Sequence, residues 1–149
     1  MTDTQQTKVE FYSQQKYDIW LATNPDFSRI TKFRAENLPR VTALPDMPAV
    51  TYFWAFNLLL VTALPDMPAV TDFWAHNLPR ITALPNMPAV TNFLAYNLPM
   101  VTALPDMPAV TKFWVYSMPL IIALPNMPAV TDFRADSRLT KIRNAMTRV

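Results

Sequence analysis

The chain has 149 residues, a formal net charge of +2, no cysteine, no glycine and 15 prolines, and 51% of its residues are hydrophobic. This length and apolar content suit one domain with a core, while the small charge gives no general pull towards nucleic acid or an anionic membrane. Missing cysteines exclude disulfides, thiolate nucleophiles and thiolate metal sites, and missing glycines mean that turns must be built on proline, Asn and Asp.

The N-terminal stretch MTDTQQTKVEFYSQQ has no apolar core of the kind a Sec signal peptide needs. The expectation is therefore a cytoplasmic chain, or one secreted without a cleaved leader. No apolar run reaches membrane-spanning length, so no membrane span is expected. Val9, Phe11, Tyr12, Tyr17, Ile19 and Trp20 are spaced loosely as on an amphipathic helix. They predict a helical N-terminal cap over residues 1–21, with the helix at about 5–20.

Residues 22–137 repeat with a period of 20, in the form V-T-x-F-x-A-x-N-L-P-x-V-T-A-L-P-D-M-P-A. Full copies begin at Val50, Val70, Val90 and Val110, a divergent one at Ile30 and an incomplete one at Val130. Interior proline costs a helix about 3 kcal/mol, so no long helix fits inside a copy. The proline-free A-V-T-x-F-x-A-x-N-L alternates apolar and variable residues, which predicts a short strand. The proline-rich remainder predicts an extended or polyproline return. Val70, Phe73, Ile81, Leu84 and Met87 form the expected inward set of the third copy. Five such side chains do not offset the ordering of a whole copy, so copies must stack to fold.

Residues 138–149 lose the prolines. Leu139, Ile142 and Met146 share one face of a short helix, with Arg138, Lys141, Arg143 and Arg148 between them. This predicts a C-terminal cap helix with a solvated cationic face. The whole is expected to be a β-solenoid of about six stacked 20-residue rungs, capped by a helix at each end.

The strand residues Val70, Phe73 and Ala75, the corner Asn77, and the later Ile81, Leu84-Pro85 and Met87-Pro88 resemble the short leucine-rich repeat of bacterial secreted effectors. The period is shared, and L-P-x-M-P is the most specific part. Asn follows the strand Phe by four residues, where the family pattern has five. The alternative is an unrelated β-solenoid with a similar pattern. The resemblance implies a leucine-rich-repeat-like curved stack, a parallel sheet on its concave side, proline-rich segments on its convex side, and protein recognition on the concave face.

Stacking at this period brings equivalent residues into columns about 4.8 Å apart. One outward column reads Arg34, Trp54, Trp74, Leu94, Trp114, Arg134; the next reads Glu36, Phe56, His76, Tyr96, Tyr116, Asp136. Both are aromatic in the middle and charged at the ends. Trp54, Trp74, Leu94, Trp114, Phe56, His76, Tyr96 and Tyr116 are therefore the candidate binding residues, since Trp and Tyr anchor interfaces. Two other readings stay open: rings that simply stabilise the sheet by stacking, and a face covered by a cap or by a second copy in a homodimer. The Asn37–Asn97 column is read as structural, bonding backbone at the corners. His76 stands alone as a histidine, so no metal site or cofactor is expected.

The expected function is a non-enzymatic module that binds a protein partner on the aromatic face. The alternatives are a carbohydrate or small ligand stacked on the Trp column, and a self-associating structural array. No nucleophile–base pair, phosphate loop or carboxylate pair points to an enzyme. Nucleic acid is not expected, because no basic groove accompanies the aromatics.

Overall fold

Every V-T-x-F-x-A-x phrase forms a strand, and the strands stack in chain order. The structure, a computed structural model, describes residues 7–147. Its elements are β1 (Lys8–Phe11), α1 (Gln14–Ala22), a 3-10 turn (Phe27–Arg29), β2 (Lys32–Glu36), β3 (Tyr52–Phe56), β4 (Asp72–His76), β5 (Asn92–Tyr96), β6 (Lys112–Tyr116), β7 (Asp132–Ala135) and α2 (Ser137–Thr147). The strands form one seven-stranded parallel sheet in the order β1 to β7. From β2 onward each residue pairs with the residue one copy away, as in Phe53↔Phe73 and Trp54↔Trp74. The fold is a β-solenoid with short capping helices.

The strand alternation sets which side chains enter the core. Phe33, Phe53, Phe73, Phe93 and Phe113 are fully buried, as are Ala35 and Ala95. Their rings stack at centroid distances of 5.3–5.7 Å between neighbours, with interplanar angles of 6–17°. Val, Leu and Met columns complete the core: Val70, Leu78, Ile81 and Met87 are fully buried, and Leu84 is partly buried against them. Leu78 belongs to a buried column absent from the expected inward set.

The proline-rich return is more turned than an extended strand. The N–H of Val70 donates to the Met67 carbonyl at 3.2 Å, and Val50, Val90, Val110 and Val130 repeat the bond. Pro68 therefore occupies the second position of a Met-Pro-Ala-Val turn, where its fixed φ suits it. Leu98-Pro99-Met100-Val101 closes a second turn in the same way, with a bond of 3.3 Å.

Without glycine, the corner after each strand uses Asn in the left-handed region. Asn37, Asn57, Asn77 and Asn97 have φ between 56° and 60°, and Ser117 has 58°. Asn tolerates this conformation better than most residues. Its side chain then bonds sideways rather than to backbone: Nδ2 of Asn57, Asn77 and Asn97 each donate to Oδ1 of the Asn one copy earlier, at 2.6, 2.7 and 2.9 Å. Thr51, Thr71, Thr91 and Thr111 direct their hydroxyls at the preceding Thr carbonyl, each at 3.2 Å.

The N-terminal cap differs from the single helix expected over about 5–20. Lys8-Val9-Glu10-Phe11 alternates with period two, buries Val9 and Phe11, and pairs with β2. The helix begins only after Ser13, whose hydroxyl accepts from the Lys16 N–H at 3.3 Å as an N-cap. Phe11, Tyr17, Trp20 and Phe27 form an edge-rich aromatic cluster that closes the Phe ladder. The expected N-terminal cap residues 1–6, and Arg148 and Val149 of the expected C-terminal cap, lie outside the described residues.

At the other end, α2 starts at an Asp136 cap, whose Oδ1 accepts from the Leu139 N–H at 3.2 Å. Leu139 is fully buried, whereas Met146 is exposed. Arg138 was expected on a solvated face. Instead its guanidinium donates to the Ile121 carbonyl and, at 3.1 Å, to the Met118 carbonyl. The arginine thus ties the first turn of α2 to carbonyls of the preceding rung.

Candidate binding face

The outward positions of β3–β6 bring all eight candidate residues onto one surface. In the first column the Trp54 and Trp74 rings stack at 4.6 Å and 20°. The Arg34 guanidinium covers the other side of Trp54 at 4.4 Å. At the far end Arg134 lies over Trp114 at 4.3 Å, and Lys112 approaches the same ring at 5.1 Å. The charged ends noted in the sequence are thus cation–π caps on an aromatic ladder, each contributing about 0.5–2 kcal/mol. The arginines are held in turn by acids: Arg34 bonds Glu36 at 2.6 Å and Arg134 bonds Asp132 at 3.1 Å.

The second column is looser. Phe56 and His76 are 4.8 Å apart and tilted by 43°, His76 and Tyr96 are 5.7 Å apart, and Tyr96 and Tyr116 stack at 5.5 Å and 5°. Burial pushes the Tyr96 phenol above its ordinary pKa, with Tyr116 adding to the shift. Trp54, Trp74, Trp114, Phe56, Tyr96 and Tyr116 are half-buried and His76 is exposed. Leu94 departs from its expected place on the contact surface: it is only 2% exposed, overshadowed by larger neighbours.

Stacking decides what the rings can offer. Both faces of Trp54 are occupied, by Arg34 and by Trp74. The Nε1 groups of Trp54 and Trp114 are covered. Trp54 therefore turns its ring edge towards solvent, the positive rim of the aromatic quadrupole. Between the columns runs a shallow groove of about 120 Å³, walled by Trp54 and Trp74 on one side and His76 and Tyr96 on the other, with Leu94 at its end. It exists because a histidine and a leucine are smaller than the rings around them.

The flanking third column is polar. Asn92 donates to Asp72 at 2.5 Å, and the Thr71 hydroxyl shares its one proton between the Thr51 carbonyl and the other Asp72 oxygen, each at 3.2 Å. Among the described residues no three His, Cys, Asp or Glu side chains gather into a possible metal site, and no helix is long and apolar enough to cross a membrane. Each helix packs on a terminal strand, α1 on β1 and α2 on β7. No protein-family model, curated protein or solved structure matches the chain.

Proposed function

We propose that the chain is a non-enzymatic binding module that recognises a protein partner through the outer face of β3–β6. The carrying observation is the groove between two aromatic columns on a face that lies away from both capping helices. Rigid rings lose little entropy on contact, and Trp and Tyr are favoured anchors. The occupied faces of Trp54 favour a protein or peptide over a sugar, because sugar recognition needs an open ring face to stack on.

The test is affinity capture with the full chain and with its Trp74→Ala and Tyr96→Ala variants, after circular dichroism has shown that all three are folded. A specific partner held by the parent and lost by both variants supports the reading. Equal capture by the folded variants removes it. Light scattering identifies the case in which the partner is a second copy, through a concentration-dependent mass that Trp74→Ala abolishes.

A further inference from the structure

The column that begins at Lys8 contains an exception to its own pattern. It runs Lys8, Lys32, Tyr52, Asp72, Asn92, Lys112, Asp132, by strand pairing. Asp72 bonds Asn92 and Thr71, Lys112 lies near the Trp114 ring, and Asp132 bonds Arg134. Lys8 and Lys32 instead stand directly opposite each other on adjacent strands, and neither forms an ion pair among the described residues. Like charges placed directly opposite one another on adjacent strands repel. Violations of this kind concentrate at functional sites.

The two lysines line a groove of about 260 Å³, completed by Glu10, Arg34 and Tyr52. Glu10 stands opposite Arg34 in the strand register with no ion pair between them, and Arg34 is held by Glu36. With Arg34 held by Glu36, Lys8 and Lys32 outnumber the one remaining acid, Glu10, and leave the groove an excess of one positive charge. The groove lies on the same outer face as the aromatic columns; its lining runs from Lys8 on β1 to Tyr52 on β3, and Trp74 follows on β4.

We propose that this groove is an acidic-side-chain site, and that the partner is a peptide segment with carboxylates beside apolar residues. The proposal rests on the protein-binding reading of the aromatic face. The carboxylates settle between Lys8 and Lys32, and the apolar residues lie along the ring edges towards Trp74. Two to three rungs separate the sites, about 10–14 Å at ~4.8 Å per strand. Three or four extended residues cover that distance at ~3.3–3.6 Å each. A carboxylate also suits the positive rim of neighbouring rings.

The probe is an acetylated, amidated peptide of three glutamates followed by two leucines, compared with the same peptide carrying glutamines. Binding to the full chain is read from amide shifts in NMR titrations. The glutamate peptide should bind about fivefold more tightly at low salt, with shifts at Lys8, Lys32 and Tyr52, and the advantage should fade as salt rises. Lys8→Gln with Lys32→Gln should erase the advantage, and Lys8→Arg with Lys32→Arg should keep it. Equal binding of the two peptides, an advantage that survives the double glutamine variant, or no binding of either at millimolar concentration overturns the groove. Trp74→Ala separates the two readings. If it leaves both peptides bound as in the parent while the lysine dependence holds, the groove stands and the aromatic face falls; if it weakens both peptides equally while glutamate has no advantage, the face stands alone.

Discussion

Asn77 donates its Nδ2 to Oδ1 of Asn57 across 2.7 Å, and both residues hold a left-handed backbone, with φ of 58° and 60°. One residue type thus does two jobs at each corner, turning the chain without glycine and tying it to the neighbouring rung. The jobs separate by mutation. Asn77→Gly keeps the turn and loses two ladder bonds, the one to Asn57 and the one from Asn97, so it should cost about 1–3 kcal/mol in urea unfolding. Asn77→Ala should cost about 1–2 kcal/mol more, because a Cβ strains this region.

Phe73 lies between Phe53 at 5.5 Å and Phe93 at 5.3 Å and is fully buried. Phe73→Ala should therefore destabilise by about 3–5 kcal/mol, the range for emptying a core aromatic site. Chemical denaturation measures it. A cost below about 1 kcal/mol would contradict a close-packed ladder at this rung.

Arg34 and Trp54 should be energetically coupled. A double-mutant cycle with Arg34→Met and Trp54→Leu is expected to give about 0.5–1 kcal/mol. Salt should reduce the loss only modestly, since the guanidinium rests against a half-buried ring.

Leu94→Trp tests the groove from within. Trp already occupies the equivalent positions 54, 74 and 114, so the variant should fold with a melting temperature near that of the parent. The larger ring should crowd the groove beside Trp74 and weaken partner capture at least several-fold. Undiminished capture by the folded variant would place the contact elsewhere.

Tyr17 supplies the pH dependence. Burial pushes its phenol from 10.0 up to about 12, with Asp18 adding to the shift. The folded chain holds this proton more tightly than the unfolded chain. Its contribution is therefore complete below pH 10 and is lost as pH rises from 10 towards 12. Tyr17→Phe should flatten the stability profile in that alkaline window and leave the acid side unchanged, as measured by denaturation at fixed pH values.

Much of this architecture was legible in the residues. A constant period makes position i and position i+20 neighbours, so the Phe ladder, the aromatic columns and their charged ends follow from counting. The two-residue alternation then assigns Phe73 inward and Trp74 outward. What repetition cannot supply is the conformation of segments outside it. β1 pairs Lys8 with Lys32, a separation that no 20-residue comparison reveals, because α1 lies between them. For the same reason the opposed lysines of the groove and the bonds from Arg138 to the Met118 and Ile121 carbonyls were invisible in the sequence.

The sequence by itself determined the rung, since a strict period and a strand-length alternation leave stacking as the only way to bury each copy. Tertiary structure alone decided how the N-terminal end is closed and what the surface presents. Leu94 is hidden only because its neighbours are larger, and Trp54 offers an edge only because Arg34 and Trp74 occupy its faces. Periodicity tells which side chains are adjacent; their sizes and ring orientations, expressed only after packing, decide which atoms reach solvent.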